Sequence, residues 1–500
     1  MWRFEKEPTG DYAIVIDGWE NGVAPDPYSG IQRMTQVNLS VPGEVSVGYT
    51  PTISTISSGT LGVPIARTTA FSSGVPTAHF ILTYASGAES LVFASSNGAA
   101  AATWSQLSTN NTNTSGLTNN QGLAYWKGYL FKFRANKIDY LANGAGDWTT
   151  GTGWQTISDT GHFALVGTDD VLYFCNGNYV GSIIEVAGST FDPANAATYT
   201  FNASALKLPS NDFAVSLATY PQGLLVGGSF NVIYPWDTIS PDFGDLIYIG
   251  DNYINRMVTV NTNVFIFPGQ ASSGTLGAGT GRGRIFITNG SQADEYFKVP
   301  DYISGVSTPY FGFGDAIFHR NNLLFTMKVT DNATGAIIAL PSLQIWALDL
   351  TTKAFRSITT ASSTYPFVLL AGGSGHTSGF NYIFAETNAT NGIIEYSGST
   401  AGIGSYSVRS DLIPVGTFLQ KKTFSQVEFK LRTPLASGES LVLTASTDDD
   451  SQNVGTANTV GQISGVFPVN FQGSQWLYIT AVATGNSATG GVPLTELRIR

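Results

Sequence analysis

Four histidines, His79, His162, His319 and His376, and one cysteine, Cys175, are the chain's whole supply of soft and borderline metal ligands. No two histidines stand close enough in sequence to share a zinc ion, and no His-Glu-x-x-His, His-x-x-x-His or Cys pair occurs. Cys175 ends the apolar run VLYFC (171–175), which reads as a buried, inert thiol. Hard-oxygen chemistry has one candidate. Asp448, Asp449 and Asp450, with Ser451 and Asn453 beyond them, carry the donors that would wrap Ca²⁺. The run lacks the glycine and terminal glutamate of an EF-hand loop and lies between two strand-like segments, so a solvated hairpin turn is the competing reading. The glycine-rich run GTLGAGTGRGR from Gly274 would cradle phosphate only between a strand and a helix, and here the strand-like RIFIT follows it. An inter-strand loop is the reading, and no cofactor is expected.

The elements that would have to position any such chemistry are β-strands. The stretch GHFALVGTDDVLYFCNGNYVGSIIEV (161–186) reads as three short strands folded back on tight turns. The same cadence starts at His79, Gly122, His162, Phe213, Asn255, Asp315 and Tyr365, at intervals of 40 to 60 residues. That spacing suits antiparallel four-stranded blades, and such units bury both faces by stacking radially. The expectation is an all-β chain: a β-propeller of about seven blades over 79–400, with boundaries blurred at 187–212 and 268–284. After Thr400 the texture changes to strands such as KTFSQVEFKL, SLVLTAST and WLYITAVA, which predict a C-terminal antiparallel β-sandwich over 401–500. Residues 1–78 hold one clear strand, YAIVID, among proline, glycine and Ser/Thr runs, and read as an extended N-terminal arm with isolated strands. Trp19, Pro25, Pro27 and Tyr28 stand among its turn residues and are the candidate assembly contacts.

Composition narrows the function. Charged residues make up 12% of the chain, glycine contributes 56 positions, and the net charge is −11. An acidic chain is poorly suited to gripping nucleic-acid phosphates. No basic segment leads into an apolar core at the amino terminus, and nowhere do 18 apolar residues run together. A chain made in a cytoplasm without a membrane segment is therefore expected. Propeller glycosidases and sialidases need carboxylates, arginines and often a tyrosine aimed into the central pocket. Here the acidic residues fall mostly in turns (Asp169, Asp170, Asp349) or at strand ends, and no G-x-S-x-G elbow has partners in credible context. The chain is not expected to be an enzyme.

Two stretches carry a resemblance. The run IDGWENGVAPDPYSGIQRMTQVNLSVPGEVSVGY (16–49) resembles the opening segment of tailed-bacteriophage virion proteins, and KKTFSQVEFKL, SGESLVLTASTDDD and the closing W-x-x-I strand look like the terminal sandwich such proteins carry after a propeller. The resemblance covers roughly 130 residues at the two ends; the propeller matches in cadence alone. It implies a structural component of a phage virion, made in the host cytoplasm and located in the tail. As a nozzle or hub protein it would assemble as a ring of copies beside other virion proteins, with double-stranded DNA passing during ejection without specific binding. A receptor- or carbohydrate-binding tail adhesin is the alternative, for which Trp126, Trp148, Trp154 and Trp236 are candidate sugar platforms. A glycosidase-like propeller enzyme is the third reading.

Overall fold

A computed structural model describes residues 2–8, 12–17, 19, 31–35, 37–38, 46–47, 50–54, 63–72, 75–84, 91–96, 104–107, 122–134, 136–142, 148, 153–158, 163–251, 253–269, 281–301, 309–319, 321–331, 345–359, 369–371, 381–385, 393–397, 405–410, 412–415, 421–485 and 492–500. Seven of its sheets have four antiparallel strands each. Their first strands are Val63–Ser72, Gly122–Trp126, Ala164–Val166, Ala214–Tyr220, Arg256–Val260, Pro309–His319 and Leu369–Ala371, the inner strands of blades 1 to 7. Each inner strand touches the next, and that of blade 7 returns to that of blade 1, so the ring closes. The chain is a seven-bladed β-propeller joined to a β-sandwich.

Local chemistry explains the blades. Trp126 pairs with Tyr129 across a two-residue hairpin whose centre, Lys127 and Gly128, has φ of 51° and 82°, the left-handed conformation such turns demand. Gly181 faces Phe174 on the neighbouring strand; a Cβ there would lie 2.2 Å from the ring. Its absence lets Phe174 stack on Phe201, with centroids 6.0 Å apart. Between blades the apolar faces meet in separate cores: Leu123, Leu130 and Leu141 with Phe80 and Leu82 between blades 1 and 2, and Tyr173, Cys175 and Val180 with Leu217, Tyr234 and Trp236 between blades 3 and 4. Phe191, in the segment that blurred a blade boundary in the sequence, packs 4.7 Å from Trp126 and 5.7 Å from Tyr199, filling the wedge between blades 2 and 3. Buried aromatic pairs of this kind add to the burial of their area.

The expected starts of blades 2 to 5 fall within two residues of the observed strands, whereas Asp315 lies inside Pro309–His319 and Tyr365 stands four residues before Leu369–Ala371. Blade 1 differs. His79 lies on its second strand, Val75–Tyr84, and the blade opens at Val63. The inner strand VPIARTTAFS escaped the cadence because it carries Arg67, Thr68 and Thr69 toward the channel instead of an apolar run.

The expected arm over 1–78 is overturned. Trp2–Lys6 and Tyr12–Ile16 form one end of a five-stranded sheet, ordered Trp2–Lys6, Tyr12–Ile16, Leu494–Ile499, Lys422–Leu431, Ser464–Gly473. Ile31–Thr35 pairs with Ser405–Ser410 in the opposing sheet, which continues through Trp476–Thr484 and Ser440–Thr447 to Ser451–Ala457. Thr50–Ser54 pairs with Ile393–Ser397 and supplies the outer strand of blade 7. The propeller is thus inserted between the sandwich's first three strands and the rest, and the boundaries expected at 78 and 400 do not separate three bodies. The physical reason is non-local pairing: a five-residue strand cannot display its partner when that partner lies hundreds of residues away. Alternating burial along Trp476–Thr484 and Lys422–Leu431 fits two sheets packed face to face. Ile31–Thr35 also runs beside Phe355–Thr359, the outer strand of blade 6, and joins the two bodies there.

Candidate functional site in the propeller channel

The inner strands of blades 1 to 6 enclose a cavity of about 660 Å³ on the propeller axis. Three charged side chains from distant parts of the sequence meet at its wall. Arg67 on blade 1 donates from Nε to Asp315 Oδ2 at 2.6 Å and from a terminal nitrogen to the Ala316 carbonyl at 3.2 Å. Arg256 on blade 5 places Nε 2.9 Å from Asp315 Oδ1, an ion pair whose N–H is not aimed at the oxygen. Its guanidinium lies over the Phe163 ring, 4.7 Å from the centroid. Asp315 is 2% exposed and also accepts from the Ala316 amide at 2.9 Å. Burial pulls the Arg256 pKa below its ordinary value, Asp315 opposes this, and Arg67 adds to the depression. Arginine stays protonated all the same. Around the charges stand Thr219 and Thr259, whose hydroxyl donates to the Thr219 carbonyl at 2.7 Å, and the ring of Tyr125, stacked on Phe80.

Sequence reasoning missed this site. Arg67 lay in the segment read as an arm, and Asp315 stood at the start of an apolar strand as one more strand-end acid. The local signal was a charged residue inside an inner strand, and identifying a partner required the ring to be closed.

The residues singled out in the sequence fall elsewhere. Trp19 is 1% exposed, packs in the sandwich core and donates from Nε1 to the Thr495 carbonyl at 2.9 Å, so it is a core residue and not an assembly contact. Pro25, Pro27 and Tyr28 lie outside the described residues. The Asp448, Asp449, Asp450 run is the hairpin turn between Ser440–Thr447 and Ser451–Ala457. Asp448 accepts from the amides of Ser474 and Gln475 and from the Ser474 hydroxyl, Asp449 pairs with Lys421 at 3.4 Å, and Asp450 accepts from the Ser451 amide. The three carboxylates serve different partners, and among the described residues no group of three or more acids, histidines or cysteines converges as metal ligands would. Cys175 is fully buried, and that burial pushes its thiol well above the usual range. His79 is buried against the Thr69 hydroxyl at 3.1 Å; His162 and His376 lie outside the described residues, as does most of the glycine-rich run. Trp126 and Trp236 donate from Nε1 to Asp170 and to the Ser240 carbonyl, and Trp154 to the Pro193 carbonyl. With Trp148 2% exposed, the four tryptophans pack blades and do not form an open sugar platform.

Comparison with known proteins gives distant likenesses only. No family model matches the chain, and no curated protein does. Solved structures that resemble it are β-propeller proteins. A streptogramin B lyase is 12% identical with a TM-score of 0.45, over 70% of this chain and 98% of the other. A catalytically inactive virginiamycin B lyase from Staphylococcus aureus, solved with quinupristin, is 13% identical with a TM-score of 0.44, over 70% and 99%. BamB from Moraxella catarrhalis is 9% identical with a TM-score of 0.39, over 74% and 97%. Among the described residues no helix is long and apolar enough to cross a membrane.

Proposed function

We propose that the chain is a structural assembly subunit of a tailed-phage-like virion, joined to copies of itself in a ring through the two ends of its five-stranded sheet. The observation that carries this reading is a pair of unlike apolar surfaces at opposite ends of that one sheet. At the end formed by Trp2–Lys6, Phe4 and Tyr12 are exposed, Tyr12 by 64%, and with Ile14, Val415, Phe424 and Ile499 they line a groove of about 1010 Å³ that opens into the sandwich core. At the other end Val460, Ile463 and Val466 stand exposed on and just before Ser464–Gly473, Val466 by 57%. Among the described residues neither edge strand carries a further strand. Arg3, Glu5 and Lys6 on one edge and Pro468 on the other blunt direct strand addition. The join is therefore one of side chains, the Val460 to Val466 ridge of one copy seated in the groove of the next. Two different patches meeting head to tail generate a ring when the rotation between copies closes.

Native mass spectrometry on the purified chain tests this. Phe4→Glu and Val466→Glu should each be monomeric where the unmodified chain forms a closed oligomer, and mixing the two should give heterodimers, because each retains one working surface. An unmodified chain that stays monomeric at high concentration, or variants that assemble as it does, would remove the ring reading.

A further inference from the structure

We propose that the propeller channel binds a small organic acid, its oxyanion held by Arg256 and Arg67 and its apolar body lying against Phe163, Leu165 and Ile65. This site is separate from the assembly surfaces and does not depend on them.

Charge imbalance makes the first part of the argument. Two guanidiniums converge where, among the described residues, Asp315 is the one carboxylate that pairs with either. Asp315 is already committed: both its oxygens accept from Arg67, and Oδ1 also takes the Ala316 amide. With Asp315 set against Arg67 and Arg256, the wall keeps one net positive charge. An uncompensated charge in a low-dielectric recess is costly, and an anion lowers that cost. Arginine meets a carboxylate or phosphate with two parallel N–H donors, so the shared chemistry is an oxyanion.

Geometry selects what is attached to it. The cavity of about 660 Å³ is within the roughly 300–1,000 Å³ range of small-molecule sites, too large for a lone inorganic ion. Phe163, which carries the Arg256 guanidinium on its face, belongs to the same lining as the partly exposed Leu165 and Ile65. Threonine hydroxyls from blades 1, 4 and 5, Thr68, Thr219 and Thr259, add sparse hydrogen-bonding points. Concave apolar walls with a few convergent polar groups define a ligand pocket. The charged trio also ties blades 1, 5 and 6 across the ring, so a ligand here would sense ring closure.

The probes are benzoate, phenyl phosphate and uncharged benzyl alcohol, titrated into the full chain and followed by saturation-transfer NMR and thermal shift. Benzoate or phenyl phosphate should bind and raise the melting temperature, and the stronger of the two identifies the carboxylate or the phosphate as the preferred group. Benzyl alcohol should do neither, and inorganic phosphate should compete with the bound acid. Arg256→Met should weaken binding by about tenfold or more with an unchanged circular dichroism spectrum. Should that variant fail to fold, the contrast between charged and neutral probes on the unmodified chain decides. Equal responses to benzoate and benzyl alcohol, no response to either acid at millimolar concentration, or full affinity in folded Arg256→Met would overturn the proposal.

Discussion

Asp448 has exchanged the metal its neighbours suggested for main-chain amides. Burial alone would raise its pKa, but hydrogen bonds from the Ser474 hydroxyl and the Gln475 and Ser474 amides outweigh that and hold it at about 2. The ordinary unfolded value is about 3.9, so the folded pKa is depressed. Stability from this group is fully present above about pH 4 and is lost as the pH falls toward 2. Asp448→Asn should cost the sandwich about 1–3 kcal/mol at neutral pH, the range for weakening charge-assisted bonds to partly buried amides. It should also flatten stability between pH 4 and 2. Denaturant unfolding at several pH values measures both. An unchanged pH profile would mean that Asp448 does not carry this acid sensitivity, and added Ca²⁺ should protect neither form.

At the scale of elements, the sequence was legible where contacts are local and opaque where they are not. Hairpins such as Trp126 to Tyr129 announce themselves through Lys-Gly or Gly-Asn turns and alternating strands, and blades 2 to 5 begin where that cadence begins. Three kinds of strand stayed hidden. Val63–Ser72 is polar toward the channel; Thr50–Ser54 resembles a Ser/Thr linker until Ile393–Ser397 pairs with it; and Trp2–Lys6 meets the rest of its sheet through Tyr12–Ile16. The Arg67, Asp315, Arg256 site was hidden for the same reason, since 248 residues separate Arg67 from Asp315. Interleaving has a testable consequence. Tyr12–Ile16 bonds to Leu494–Ile499, and Arg498 reaches Glu5 at 3.1 Å and Glu7 at 2.6 Å, so the amino-terminal strands hold the carboxy-terminal ones. Ala13, Ile14, Val15 and Ile16 are all buried. A chain lacking residues 1–17 should therefore lose protease protection across 405–500 while the propeller stays protected, as mass mapping of limited digests would show. Unchanged protection of the carboxy-terminal hundred residues would mean that these strands merely decorate a self-sufficient sandwich.

For the whole molecule, the proposed ring would set copies with a net charge of −11 around any duplex it encloses. The propeller's own cavity has the scale of a small molecule, so any DNA would have to pass between copies and not through a single ring of blades. Every lysine or arginine held against a passing duplex adds a phosphate contact and slows it. Two pairs of basic residues stand close in the sequence, Arg282 with Arg284 and Lys421 with Lys422, and a basic stripe would draw on them. Arg284 sits on the third strand of blade 5, away from the axis, held by Asp251 and the Gly250 carbonyl, and Lys421 pairs with Asp449. Lys422 lines the sandwich groove. Arg282 is exposed just before the strand Arg284–Thr288. Ion pairs of this sort cancel the positive field that would hold a polyanion. The assembled chain should accordingly bind double-stranded DNA weakly even at low salt, with little salt dependence, when titrated by fluorescence anisotropy. Micromolar affinity that collapses steeply as salt rises would show several phosphate contacts and contradict a low-friction wall. It would point to a basic surface outside these two pairs or to one created by assembly.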